Sequence, residues 1–352
     1  MIPAAGDVLN QRYRVLGAHG KGGMGTIFLA EDLRLEGRQC ALKQVSGDPR
    51  ATPEAQRQAR AQFYQEASVL ARLDHPALPK VSDFFSLGET EVLVMDYVAG
   101  VDLRQRIETA RAAGTLIPEL LVLDWARQLL HALEYLHSQQ PPVVHRDIKP
   151  ANIRLTPGGL IKLVDFGLVK LMVPNDGTIT VVQGRGTIHY TPLEQYGGDT
   201  GHTDGRGTIH YTPLEQYGGD TGHTDGRTDV YGLAATLYHL LTNTPPAEAK
   251  IRFLQTDSLV PVRDINPLLS TRTERALHWA LHLHPEDRPP TIADFRGALQ
   301  DGIFPGPQGT PEFVPANAWE WAQLAFTDPL ERHLSIAALV MIGIGVIATL
   351  AT

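Results

Sequence analysis

Apolar positions along the first third of the chain alternate, and later ones recur at helical spacing. Residues 12–33 read as strand, glycine-rich turn and strand: apolar positions at Tyr13 and Val15, then Gly20, Gly22, Gly23 and Gly25, then Ile27, Phe28 and Leu29. Residues 39–45 read as a further strand, and Pro49 and Pro53 mark a loop. Residues 54–73 hold no Gly or Pro and carry Phe63, Ala67, Leu70 and Ala71 at helical spacing. Two strands follow, 78–87 and 91–98, joined around Gly88. The period then changes. Leu123, Ala126, Leu130, Leu133 and Leu136 share one face of a helix over 120–137, and 229–241 and 273–283 are further helices. The pattern predicts an α+β chain with a strand-rich lobe over 12–98 and a larger helical lobe over 99–300. The Pro- and Gly-rich stretch that follows reads as a linker over 301–333.

The last 19 residues, 334–352, carry no charged side chain. As a helix they would reach about 28 Å, enough to cross the hydrocarbon core of a bilayer, so a transmembrane helix is expected there. No basic region followed by an apolar run opens the chain, so no secretory signal is expected. The 352 residues hold 31 Lys and Arg against 39 Asp and Glu, a net charge of −8, which argues against a broad nucleic-acid-binding surface. Cys40 is the single cysteine, which excludes an intrachain disulfide or a multi-cysteine zinc site and suits a reducing compartment.

One block occurs twice. Residues 184–206 and 205–227 are the same 23 letters at an offset of 21, a tandem duplication across 184–225. Two perfect copies do not make a solenoid array. They point to a recent in-frame duplication or to an artefact of sequence assembly.

Several residues carry chemistry together. The glycines lie between two strands rather than opening a helix, which suits a flap whose backbone N–H groups approach phosphates and argues against a dinucleotide-binding fold. Lys43, on the next strand, can neutralise phosphate oxygens if a carboxylate holds it, and Glu66 on the following helix is the candidate. Asp147 can accept or orient a hydroxyl proton, Lys149 can stabilise a transferring phosphoryl group, and Asn152 and Asp165 offer oxygens to a hard cation. His278 and His282 stand at i,i+4 spacing near His284, with no Glu between them as a metalloprotease requires. Trp319, Trp321 and Phe326 suit either a membrane interface or packing on the catalytic unit.

In this order the segments resemble the bacterial branch of the eukaryotic-like serine/threonine protein kinases. The resemblance covers residues 12–300. It implies a two-lobed kinase fold that transfers the ATP γ-phosphate to Ser or Thr hydroxyls of proteins, with Mg2+ as cofactor and Mn2+ as the alternative ion. It also implies autophosphorylation in bacterial signalling, with a homodimer serving it in trans. Gly20, Gly22, Gly23 and Gly25 would cover the phosphates, with Ile27 and Ala41 over the adenine. Met95 would be the gatekeeper and Asp96 to Val98 the hinge. Lys43 would pair with Glu66, Asp147 would be the catalytic base, and Asn152 and Asp165 would hold the metal. Val81, Leu70, Phe166 and His145 would form a spine between the lobes, and Arg146 would receive a phosphorylated threonine. Thr212 to Glu215 resembles the end of the activation segment, with Glu215 pairing to Arg288 and Asp229 bracing the catalytic loop. Thr178 or Thr180 would be phosphorylated, and Thr187 or Thr208 would face the substrate.

Two departures stand out. Arg154 occupies the position that usually forms an apolar adenine floor, with its stem expected under the base and its charge outward. The duplication falls across the activation segment; Glu215, 14 residues before Asp229, is the expected occupant rather than Glu194. The kinase would face the cytoplasm on a single-pass membrane anchor. A membrane-tethered, nucleotide-binding pseudokinase or scaffold is the rival reading.

Overall fold

The computed structural model describes residues 3–22, 25–46, 52–88, 90–165, 209–216, 225–305, 311–317 and 319–320. The first lobe is an antiparallel sheet of β1 (Val8–Leu9), β2 (Tyr13–Gly22), β3 (Gly25–Asp32), β4 (Gln39–Ser46), β5 (Val81–Leu87) and β6 (Thr90–Asp96). The strands run in the order β1-β2-β3-β4-β6-β5, and α1 (Pro53–Leu70) connects β4 to β5. Side chains alternate across a strand, and that alternation divides the lobe. Phe28, Ala30, Cys40 and Leu42 bury one face with Tyr13, Val15, Val92 and Val94. Ile27 and Lys43, directly opposite one another in the β3–β4 register, take the other face, as do Leu29 and Ala41. The helix expected over 54–73 leaves the helical path at Leu70, where the N–H of Leu73 bonds the Leu70 carbonyl at 3.1 Å and tightens the turn before Pro76.

The second lobe begins with β7 (Val101–Asp102), α2 (Leu103–Ala112) and α3 (Glu119–His137). After β8 (Ile153–Leu155) and β9 (Ile161–Leu163) come α4 (Gly226–Thr242), α5 (Ala249–Leu254), α6 (Val262–Ile265), α7 (Thr271–Ala280) and α8 (Ile292–Arg296). Fourteen of the 17 residues of α4 are buried, so it is the central mast against which α3, α7 and α8 pack. Gly100 joins the lobes at φ +122°, and a Cβ there would sit 2.1 Å from the Leu155 carbonyl oxygen. Only glycine allows β7 to approach β8 so closely.

No helix is expected over 103–112, where the apolar stripe is only Leu103, Ile107 and Ala110. The helix α2 buries just Leu103 and Ile107, and its start is set by Asp102, whose carboxylate accepts from the Gln105 N–H at 2.8 Å. The stretch read as a linker contains two further strands, β10 (Ile303–Pro305) and β11 (Pro311–Phe313), paired as a hairpin. Arg272 Nε donates to the Val314 carbonyl at 2.9 Å, and Arg275 grips Glu312 at 2.9 and 2.6 Å while lying over the Phe304 ring. Gly302 opens the hairpin at φ +72°, where a Cβ would come within 2.4 Å of the Val314 oxygen. Among the described residues no helix is long and apolar enough to cross a membrane, and the span expected at 334–352 lies outside them.

Candidate active site

Asp229, in the first turn of α4, is fully buried. It accepts the backbone N–H groups of His145 (2.8 Å) and Arg146 (2.7 Å) and meets His137 Nε2 at 2.9 Å. Burial pushes its pKa up, but His137 and the other partners overcome this and hold the carboxyl below the usual range. The loop from His145 is therefore pinned by its main chain, with Arg146 in the left-handed region at φ 65°. His145 itself is buried, which lowers its pKa and favours the neutral ring.

Asp147 comes next. Asn152 Nδ2 donates to both the Asp147 carbonyl (2.9 Å) and its Oδ2 (2.8 Å), and Lys149 Nζ lies 2.9 Å from the same Oδ2. The Asn152 amide keeps its oxygen as an acceptor. The Val164 N–H bonds the Asn152 carbonyl at 2.8 Å, placing Asp165 beside this loop. Asp165 takes φ 59° and forms an ion pair with Lys43, which is 4% exposed on β4. Burial raises the Asp165 pKa, the Lys43 charge and hydrogen bond outweigh it, and the net direction is down. The Asn152 amide oxygen and the Asp165 carboxylate are hard oxygen donors from two adjacent segments. Together with nucleotide phosphates they suit Mg2+, which binds through one or two side chains plus phosphate and water.

Of the expected nucleotide residues, Ile27, Ala41 and Lys43 share one face of the sheet with Met95, while Asp96 pairs with Cys40 on the other. Gly20 and Gly22 lie at the β2–β3 hairpin, where Gly22 faces Gly25; Gly23 lies outside the described residues. Met95 pairs with Ala41 on one side and Val81 on the other. The Asp96 N–H bonds the Lys80 carbonyl at 3.0 Å, and Val98 is buried. Leu70 and Val81 are buried near the lobe boundary; Phe166 lies outside the described residues. Glu66 is buried on α1, and its charge acts on Arg146, whose pKa burial lowers. The Arg154 guanidinium bonds the Gly100 carbonyl in an exposed contact at the lobe junction.

Arg288 and Glu215 form a two-pronged pair at 2.7 and 3.0 Å, and Arg288 also donates to the His282 and Leu283 carbonyls. Thr228 Oγ1 adds a bond to Glu215 at 3.1 Å. The second repeat copy therefore supplies this contact. The first copy lies outside the described residues, as do Thr178, Thr180, Thr187 and Thr208. The sequence pattern does not reveal Gln216, whose Nε2 donates to the Arg146 carbonyl at 3.0 Å, or Tyr211, whose hydroxyl meets His239 Nδ1 at 2.6 Å. Neither bond has a local sequence signal, since its partner lies 70 or 28 residues away. The His278 and His282 rings meet edge to face at 5.2 Å, and Trp319 is exposed. A cavity of about 360 Å³ opens beside Asp96 to Val98, walled by Arg38, Thr156 and Lys162 rather than by Lys43 or Asp147.

Known proteins are similar to this chain in sequence and fold. The chain is 36% identical over 243 residues to the probable serine/threonine-protein kinase SCO3848 of Streptomyces coelicolor, covering 68% of this chain and 31% of that one. It is 31% identical over 308 residues to the serine/threonine-protein kinase PknB of Mycolicibacterium smegmatis, covering 83% of this chain and 43% of that one. The chain thus spans less than half the length of these relatives. The solved Mycobacterium tuberculosis PknI kinase domain superposes with a TM-score of 0.59 at 27% identity, covering 85% of this chain and 99% of that structure. The protein kinase domain family matches residues 13–295. That match takes in the whole site from the glycine hairpin to Arg288, and the chain belongs to the protein kinase family.

Proposed function

We propose that the chain is a serine/threonine protein kinase that moves the γ-phosphate of ATP to hydroxyls of proteins. The carrying observation is Asp147 with one carboxylate oxygen shared by Asn152 and Lys149, on a loop braced through its backbone by Asp229. In this reading Asp147 orients the acceptor hydroxyl and accepts its proton. Lys149 holds positive charge beside the oxygen that attacks, and the ammonium of Lys43 faces the nucleotide phosphates. The Asn152 amide oxygen and the Asp165 carboxylate would hold Mg2+, which when bound neutralises charge on the phosphates. Lys149 next to the base favours an aliphatic hydroxyl of Ser or Thr as acceptor.

The proposal extends to a membrane anchor at 334–352 with the catalytic lobes on the cytoplasmic side, supported by the charge-free apolar run and by the cellular location of ATP. The test is transfer of labelled phosphate from γ-radiolabelled ATP by the full chain and by Asp147→Asn. Substitution should lower transfer by at least about 1,000-fold, from loss of the base and of the Lys149 and Asn152 geometry. Undiminished transfer by the variant would sink the mechanism. ATP binding without transfer by the unaltered chain would favour a nucleotide-binding scaffold.

A further inference from the structure

Residues 209–216 meet the catalytic loop at one end and α4 at the other, where the turn Ile209–Tyr211 packs. Gln216 ties this segment to the Arg146 carbonyl, and α4 lies beneath it. The Tyr211 and His239 rings stack with centroids 6.2 Å apart, and the hydroxyl of one meets Nδ1 of the other. His210 Nδ1 lies 2.9 Å from the Pro246 carbonyl, which can only accept, so that nitrogen carries a proton. Burial, then Arg111 and His210, push the His239 pKa down to about 4, so the ring is neutral near pH 7. With Tyr211 donating to Nδ1, His239 Nε2 bears a proton and has no hydrogen-bond partner among the described residues.

Cations converge on this edge from α2. Arg104, Glu108 and Arg111 stand at i, i+4 and i+7, along one stripe of that helix. The Arg111 guanidinium donates to the Asn243 carbonyl, one turn beyond His239 on α4, and Asn243 Nδ2 donates to the Thr115 carbonyl at 2.8 Å. The exposed Arg104 lies 3.9 Å from Glu108. The charges acting on Tyr211 and His239 are those of Arg104, Arg111 and His210, all from basic side chains. Among the described residues no carboxylate bonds Tyr211, His210 or His239.

We infer that this edge selects acceptor segments bearing Asp or Glu beside the hydroxyl, with Arg104 and Arg111 meeting their carboxylates across Tyr211 and His210. A basic acceptor segment would meet like charge there, and like-charge contact is an efficient means of rejecting a partner. The inference names the substrate class of the site and rests on its reading as a protein kinase.

Binding and transfer separate the two claims. Fluorescein-labelled peptides with one Thr, flanked by Glu, by Lys or by Ser and Gly, are titrated with the full chain in non-ionic detergent and followed by anisotropy. The Glu peptide should bind about tenfold tighter than the Lys peptide at low salt, with the gap closing at high salt. Arg104→Glu should shrink the gap at least about threefold and leave the neutral peptide unchanged. That substitution removes only an exposed ion pair, whereas Arg111→Glu also loses the Asn243 contact. Equal binding of the two charged peptides, or tighter binding of the Lys peptide, overturns the inference. A preserved binding preference without phosphate transfer to any peptide counts against the kinase reading and leaves the acidic preference standing.

Discussion

Two arginine–carboxylate pairs in the second lobe have nearly the same geometry and opposite surroundings. Arg288 holds Glu215 with two bonds at 2.7 and 3.0 Å, and the side chains are 0% and 7% exposed. Arg275 holds Glu312 with two bonds at 2.9 and 2.6 Å, with side chains 41% and 44% exposed. The first pair ties the turn beside Asp147 to the lobe's interior. The second ties the C-terminal hairpin to α7. Geometry alone does not rank them. Inside the protein, removing one partner strands a charge in low dielectric, while at the surface water and salt take the partner's place. The buried pair is therefore a fixed clamp, and the exposed one is an adjustable strap.

The largest effect expected from breaking this comparison is at Arg288. Arg288→Ala leaves the Glu215 carboxylate and two loop carbonyls without their guanidinium, and urea unfolding should show a loss of about 3–5 kcal/mol. A loss no larger than that of a surface substitution would erase the distinction between the two pairs.

A second measurement uses pH to separate interior from rim. His239 has its pKa lowered to about 4 by burial first, and then by Arg111 and His210. Between pH 4 and the unfolded value of 6.5 the unfolded chain binds a proton that the folded chain does not. Stability is therefore lost as pH falls through that window and levels off below it. The loss is on the order of 3 kcal/mol. His239→Gln should flatten this segment of the stability–pH curve, and an unchanged slope would exclude His239 as its source.

The smallest effect is at Glu312. Glu312→Gln should move the melting temperature by an amount near the resolution of the measurement, and the residual shift should vanish at high salt. A salt-insensitive loss as large as that of Arg288→Ala would show that the strap holds as firmly as the buried clamp.

How much of this was legible in the sequence depends on how local each signal is. His145 to Asn152 and Asp165 lie within a short run, and the alternation in β3 and β4 puts Ile27, Ala41 and Lys43 on one face, as expected. The Glu215–Arg288 pair was legible only because both residues sit in recognisable motifs. The hairpin was not, because its strands are three residues each, Pro305 faces Pro311 in the pairing, and its anchors lie upstream at Arg272 and Arg275. Polar α2 escapes notice for a related reason: its stripe of Leu103, Ile107 and Ala110 is short and set among charged residues. Lys43 is expected to pair with Glu66; the ion pair it forms with Asp165, 122 residues away, is one that no spacing rule could supply.

With the proposed anchor, the docked hairpin would also set a radius of action. The last described segment is held by Arg272, whose guanidinium reaches Glu320 as well as the Val314 carbonyl. From residue 320 to the proposed anchor at 334 is 14 residues, at most about 50 Å when fully stretched. With 334–352 in the bilayer, as proposed, the catalytic lobes would range over a shallow dome of that height. Proteins held at the same membrane surface would then fall inside it, at a local concentration far above their cellular average. Releasing the hairpin would add to that reach, so with the proposed anchor the strap between Arg275 and Glu312 would double as the setting on a leash.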